Sequence, residues 1–268
     1  MAIKRCTVQT NKIKRELDAH GTPPFPIGLY YDYLPIDDVP WHWHAQLEIA
    51  YVEKGRVHLG VNADKVIVAA GEAFFINAET LHACWCEGGD ACTLHSAVFK
   101  AELLGAQESV YYQSYIRPLI ENGEFPYCVF TGKEKWQADI LSLYTRMWAA
   151  AADEAFGYEF SVRQNLSDIL LCLLKHMSKR PEELSEKAMR TKRRMKTMLG
   201  YIQENYGREI RVEDIAASAN ISESECVRCF HDGVGIPPIR YVKQLRVQNA
   251  AEYLVNTDRP INDIAAQC

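Results

Sequence analysis

The stretch from Val212 to Thr257 constrains the fold more than any other part of the chain, because its punctuation fits short helices meeting at a tight turn. Val212, Ile215, Ala216 and Ala219 recur at helical spacing and form one apolar stripe. Asn220 follows, and asparagine tolerates the left-handed conformation that a tight helix–helix turn requires. Ser222 and Glu225 have the spacing of a capping box opening a second helix. On that helix Cys226, Cys229 and Phe230 fall on one side, spaced to pack against Ile215 and Ala219. Ser224, Val227, Arg228 and His231 fall on the other, with no core partner. Gly233 and Gly235 are expected to stop this helix. Pro238 is expected to start a longer one, with the stripe Val242, Leu245, Arg246, Asn249, Ala250, Tyr253 and Leu254. A short helix with an exposed arginine and small side chains suits the major groove of double-stranded DNA. The competing reading is a small helical bundle with a solvated face.

Phe230, Gly235, Pro238, Tyr241, Arg246, Ala250 and Leu254, followed by Ile261, Ile264 and Ala265, closely resemble the signature of the AraC/XylS family of transcriptional regulators. The resemblance covers about Lys187 to Cys268 and implies two helix–turn–helix units joined by the long helix. Carried over by position, it implies base and phosphate contacts from Ser224, Val227 and Arg228, on a helix from Ser222 to His231 lying in the groove. His231 stands where a basic residue is usual in the family, and Pro237 where Ser or Thr usually caps the linking helix. Ile261 to Cys268 matches only the first helix of the second unit, so the sequence as it stands is expected to supply one recognition helix.

A chain of 268 residues with 48% hydrophobic composition can bury two cores. Its net charge of −5 is uneven. Residues 187–268 carry 13 Lys and Arg against 10 Asp and Glu, and the remainder 17 against 25, so only the C-terminal part has the sign that nucleic acid favours. Nine cysteines are scattered in apolar context; neither Cys84-Trp85-Cys86 nor Cys226-Val-Arg-Cys229 has a second pair at zinc-finger distance, and reduced core cysteines are expected. The N-terminus lacks an apolar signal core and no apolar run is long enough to span a membrane, which points to a cytoplasmic protein.

The N-terminal half has a different texture. Residues 12–19 have the composition of a short helix ended by Gly21, and residues 22–26 form an extended arm. Leu47, Ile49 and Tyr51 alternate, as do Val57, Leu59 and Val61, and residues 62–64 make a hairpin turn before Val66-Ile67-Val68. Such short strands predict a small antiparallel barrel or jelly roll. The expected fold class is therefore α+β: a β-barrel with a helical pair, then an all-α DNA-binding domain. The expected divisions are a barrel with its arm over 1–105, helices over 106–178, a charged linker over 179–190 and the helix–turn–helix part over 191–268.

His42-Trp43-His44-Ala-Gln-Leu-Glu48, with Gly55 beyond it, matches the first motif of the cupin barrels. Gly71 followed by His82 resembles the second, with Asn77 and Glu79 in place of its usual Pro and Gly. In cupins these positions imply a metal on three His and one carboxylate, here His42, His44, Glu48 and His82. Such ligands suit Zn, Fe, Mn or Ni. Regulators of the family often keep the His-x-His pattern in a metal-free effector pocket, so the expected occupant is a small-molecule effector, with sugars common in the family, and a divalent transition metal is the alternative. The face bearing Leu47, Ile49 and Tyr51 is more apolar than the histidine face and is expected to lie against the C-terminal helices or a partner subunit. Trp136, Ile140, Leu143, Tyr144, Met147 and Trp148 form one helical stripe, and Leu166, Ile169, Leu170, Leu173, Leu174 and Met177 a second. Their extent points to a helix-mediated homodimer, with packing on the barrel as the competing reading. Together these features predict an effector-responsive, non-enzymatic transcriptional regulator. A metal-dependent cupin dioxygenase or isomerase fused to a helical domain is the principal rival.

Overall fold

The computed structural model describes the chain apart from residues 1–2, 6–7, 9, 11–14, 17–19, 35–38, 63, 87–90, 178–185, 235, 257–258 and 268. It divides into two compact units, the first built mainly from residues before 186 and the second from Glu186–Cys268.

Nine strands and three α-helices organise the first unit among the described residues. The strands are β1 (Ile27–Leu34), β2 (Val39–His42), β3 (Leu47–Lys54), β4 (Arg56–Val61), β5 (Asp64–Ala69), β6 (Ala73–Ile76), β7 (His82–Trp85), β8 (Cys92–Phe99) and β9 (Tyr127–Phe130). They form two sheets, ordered β1-β8-β3-β6-β9 and β2-β7-β4-β5, so the expected jelly roll is an open sandwich rather than a closed barrel. Asn62 turns the β4–β5 hairpin with φ of 50°, as expected of an asparagine there. Helix α1 (Arg117–Glu121) precedes β9; α2 (Lys135–Asp153) and α3 (Tyr158–His176) follow it.

Strand β3 shows how period-2 alternation builds two cores at once. Ala50 and Val52 face inward with Leu34, Leu59, Phe74 and Leu94 between the sheets. Leu47 and Ile49 face outward and meet Ile140, Leu143, Tyr144 and Met147 of α2 and Leu166, Ile169 and Leu170 of α3. The apolar face of β3 is therefore covered by α2 and α3 of its own unit, a different cover from the C-terminal helices or partner subunit expected for it. Leu143 is 9% exposed and Leu170 6%, so both stripes assigned to a dimer are spent inside the unit. The tyrosine hydroxyl of Tyr144 completes the seal by donating to the His95 carbonyl at 3.0 Å.

Cysteine usage departs from expectation at one place. Cys86 and Cys92 are joined as a disulfide across the β7–β8 connection, while Cys84, Cys128, Cys172, Cys226 and Cys229 are free. The helix expected over residues 12–19 falls mostly outside the described residues; within it, Glu16 is extended, its amide bonded to the Trp43 carbonyl at 2.9 Å.

The second unit is helical: α4 (Glu186–Asn205), α5 (Val212–Ser218), α6 (Glu223–Val234), α7 (Pro238–Asn256) and α8 (Ile261–Gln267). Residues 179–185 of the expected linker lie outside the described part, and residues 186–190 belong to α4 rather than to a linker. Met198, Ile202, Ile215, Cys226, Phe230, Val242 and Leu245 make the core. The buried-looking Arg246 of the sequence signature has a specific task. Its guanidinium donates to the carbonyls of Tyr206 (2.8 Å) and Arg208 (2.6 Å), just beyond the end of α4, where unpaired carbonyls favour a cation. Two expectations fail locally. Helix α6 runs through Gly233 to Val234, and Leu254 at the end of the α7 stripe is 52% exposed. Gly235 lies outside the described residues.

Candidate metal centre and nucleic-acid face

The cross-strand register between β2 and β7 sets His42 opposite His82. His44 lies two residues beyond, past the end of β2 rather than on the same strand, and Glu48 points inward from β3. The ligand atoms of these four residues lie within 4.8 Å of one another, and all four side chains are buried. The sequence therefore named a real cluster.

Its tautomers follow from the backbone. Nδ1 of His42 faces the Pro40 carbonyl at 2.9 Å, Nδ1 of His44 the Gln46 carbonyl at 3.1 Å, and Nδ1 of His82 the Thr80 carbonyl at 2.9 Å. A carbonyl oxygen only accepts, so each Nδ1 carries the proton and donates. Each Nε2 of a neutral ring is then a lone pair aimed inward, and a backbone carbonyl that fixes Nδ1–H in this way prepares histidine for a metal. Glu48 Oε2 lies 3.1 Å from His44 Nε2 and 3.0 Å from His82 Nε2. Four acceptors thus converge with no donor among them unless a ring takes a second proton or a cation enters.

Electrostatics express the same conflict. Burial opposes ionisation of Glu48, but the contacts with His44 and His82 outweigh it and hold the carboxyl well below its usual range. Burial likewise disfavours the His82 cation, yet Glu48 overcomes it and raises that pKa. His42, desolvated and beside the other two imidazoles, is pushed well below its ordinary value.

The departures from the second cupin motif are structurally absorbed. Glu79 adopts φ of 59° where the motif carries glycine. Asn77 donates through Nδ2 to the carbonyls of Leu119 (2.7 Å) and Phe125 (3.0 Å), fastening the turn before His82 to the segment around α1. Sequence reasoning missed two further pocket residues, Glu16 and His20, which are 9% and 3% exposed. The cavity they help line with Tyr30, Asp32, His42 and Glu48 measures about 20 Å³, room for one water-sized occupant.

In the second unit Asn220 has φ of 52°, making the expected left-handed turn between α5 and α6. The Ser222 hydroxyl accepts the Glu225 amide at 3.3 Å, but the reciprocal half of the capping box is replaced. The Glu225 carboxylate instead accepts from Arg194 at 3.2 Å and from Arg228. Ser222, Ser224, Val227, Arg228 and His231 are all exposed, while Cys226, Cys229 and Phe230 are buried, so α6 presents one free polar face.

Residues 29–98 match the cupin domain family and residues 215–268 a helix-turn-helix domain family. The chain is 27% identical over 256 residues to the uncharacterized HTH-type transcriptional regulator YdeC of Bacillus subtilis (strain 168), covering 94% of this chain and 87% of that one. It is 25% identical over 254 residues to the HTH-type transcriptional activator RhaS of Klebsiella pneumoniae (strain 342), covering 93% and 87% respectively. Among solved structures, ToxT from Vibrio cholerae O395 aligns with a TM-score of 0.43 at 10% identity, covering 90% of this chain and 86% of that one. Among the described residues no helix is long and apolar enough to cross a membrane.

Proposed function

We propose that the chain is a transcriptional regulator of the AraC/XylS type whose DNA binding is governed by a divalent transition metal ion held on His42, His44, Glu48 and His82. The observation that carries this reading is the donor set. Three Nδ1–H groups are committed to backbone carbonyls, so while the rings are neutral three imidazole lone pairs and one carboxylate face each other without a donor. Buried polar groups are normally paired, so such a set favours a cation. An ion of the Zn, Fe, Mn or Ni class supplies the positive charge that these four groups accept in common. The carbonyls of Pro40, Gln46 and Thr80 hold the rings in orientation, and the β2–β7 register keeps His42 and His82 adjacent.

The space supports an ion over a sugar-sized effector. Small-molecule pockets typically measure about 300–1,000 Å³, against about 20 Å³ here. A sugar would have to displace Glu16 and His20. The same lack of space, with regulators as relatives, favours a sensor over a cupin dioxygenase or isomerase. In the DNA-bound form Ser222, Ser224, Val227, Arg228 and His231 face the major groove. Pairing of two copies has to use a surface other than the stripes of α2 and α3, because both are buried within the chain.

The test is elemental analysis of the purified chain, with gel-shift titration of DNA from upstream of its own gene in the presence and absence of a chelator. About one ion per chain is expected, lost on replacing His42 and His44 together by alanine, with DNA affinity changing as the ion is removed. A chain that takes up no ion, even when offered Zn, Co, Ni or Mn, overturns the proposal.

A further inference from the structure

We infer that Glu16 is an additional ligand of the same ion, supplied by the N-terminal segment, with His20 as its positioning residue; this rests on the metal reading above. Glu16 is a buried carboxylate whose Oε2 stands 3.9 Å from Nε2 of His42, the ring nitrogen that faces the centre. Two donors on one ion with bonds of about 2.0–2.2 Å can lie at most about 4.4 Å apart, so the Glu16–His42 separation is compatible with a shared ion. Glu16 stands outside the four residues whose ligand atoms all lie within 4.8 Å of one another. The backbone reinforces the placement. The Glu16 amide donates to the carbonyl of Trp43 at 2.9 Å, between the two histidines of the His-x-His motif.

The side chain is also aimed. His20 Nε2 lies 3.0 Å from Glu16 Oε2, and His20 Nδ1 lies 2.7 Å from the Tyr30 hydroxyl. With the hydroxyl donating to Nδ1, the Nε2 proton is given to Glu16. His20 is 3% exposed, so this relay is shielded from water. A carboxylate oriented by a histidine that is itself oriented resembles the outer support of a metal ligand.

Charge adds a reason for a further carboxylate near the ion. Three neutral imidazoles and Glu48 leave a divalent ion with one uncompensated positive charge in a buried site, which is costly. Glu16 and Asp32, both buried along the same cavity, are the carboxylates placed to offset it. The ion then ties Glu16, and His20 through it, to β2, β3 and β7.

Co(II) is the probe, because its visible spectrum reports the ligand set and chelator competition reports its affinity. Both are measured on the full chain and on Glu16→Gln, Glu16→Asp, His20→Asn and Glu48→Gln. Glu16→Gln is expected to bind one Co(II) about 10–100-fold more weakly with altered visible bands. Glu16→Asp, which withdraws the carboxylate by one methylene, and His20→Asn are expected to fall between it and the unaltered chain. Should Glu16→Gln fail to fold, Glu16→Asp carries the test. An unchanged spectrum and affinity in the Glu16 variants overturns the inference and leaves the four-ligand centre standing. Absence of Co(II) binding by the unaltered chain removes the four-ligand reading and this inference with it.

Discussion

Replacing Glu48 by glutamine should separate a metal centre from a structural ion pair, because the two assign opposite consequences to one isosteric change. Glu48 is 7% exposed, with its Oε2 at 3.1 and 3.0 Å from two imidazole nitrogens. In the metal-free protein a glutamine amide can donate to the Nε2 lone pair of His44 or His82, a neutral hydrogen bond worth about 1 kcal/mol net. His82 then needs no second proton, so no charge is stranded. The variant stripped of metal should therefore unfold within about 1 kcal/mol of the original. Metal linkage behaves differently. At an ion concentration 100 times its dissociation constant the original gains about 2.7 kcal/mol, or roughly 5–10 °C for a protein of this size. If the variant binds at least 100-fold more weakly, the same concentration stabilises it by no more than about 0.4 kcal/mol. The assay is thermal unfolding of both proteins with chelator and with Co(II). A loss of about 3–5 kcal/mol in chelator, the cost of breaking a buried ion pair, together with an undiminished Co(II) shift, would refute the reasoning. The pH dependence adds a second check. His82 has a raised pKa, so its contribution in the metal-free protein is complete below its unfolded value near 6.5 and fades as pH rises through the folded one. Glu48 has a depressed pKa, so its contribution is present above its unfolded value near 4.3 and is lost as pH falls through the folded one. The original should show this window between about 4.3 and 6.5 and the variant should not. His42, kept neutral by burial, costs stability below about 6.5 in both proteins alike.

Leu143→Asp and Leu170→Asp should unfold the first unit rather than release folded monomers, since both side chains are buried in its core; truncation alone costs about 2–5 kcal/mol. Circular dichroism with size-exclusion chromatography checks this, and a folded monomer from either variant contradicts it. Glu225→Gln should tighten DNA binding and steepen its salt dependence by about 1–2 phosphate equivalents, because Arg194 and Arg228 lose their shared intramolecular carboxylate; titration at two salt concentrations reads both. The Cys226 thiol, raised by burial to about 11, should leave only about one thiolate in a thousand at a pH of about 8. Alkylation followed by peptide mapping should find Cys226 unmodified in the folded chain and labelled after denaturation.

What could be read from residues alone was whatever obeys a local rule. The α5–α6 turn at Asn220, the buried Cys226, Cys229 and Phe230, and the exposed Arg228 all follow from helical period and turn chemistry. The four-residue cluster was legible because three of its members sit within seven positions of chain and the fourth carries the second motif. The misses are long-range. Nothing in the sequence near Glu16 says that its amide will pair with Trp43 or that its carboxylate will face His42. The spacing of Ser222 and Glu225 satisfied the capping rule, but Arg194, from a different helix, claims the carboxylate. The two apolar stripes of α2 and α3 were correctly located and wrongly spent. A stripe records that a surface is buried and not against what, and here the outer face of β3 uses it.

That use of β3 bears on how an event at the centre could leave it. Glu48 is flanked by Leu47 and Ile49, whose side chains point to the opposite face and pack against α2 and α3. Because the strand period is two, any displacement of Glu48 along or across the sheet moves its neighbours against a close-packed helical pair. Tyr144 of α2 adds a polar tether, through its bond to the carbonyl of His95 on β8, the strand paired with β3. On the inner side the same strand meets His44 and His82 at one residue. The centre therefore touches a rigid element from within while α2 and α3 touch it from without. This makes β3 an element in direct contact with both the ligand atoms and the helices. Substituting Ile49 by alanine is the corresponding perturbation. It leaves all four ligands in place, and so distinguishes a strand that transmits from one that merely supports.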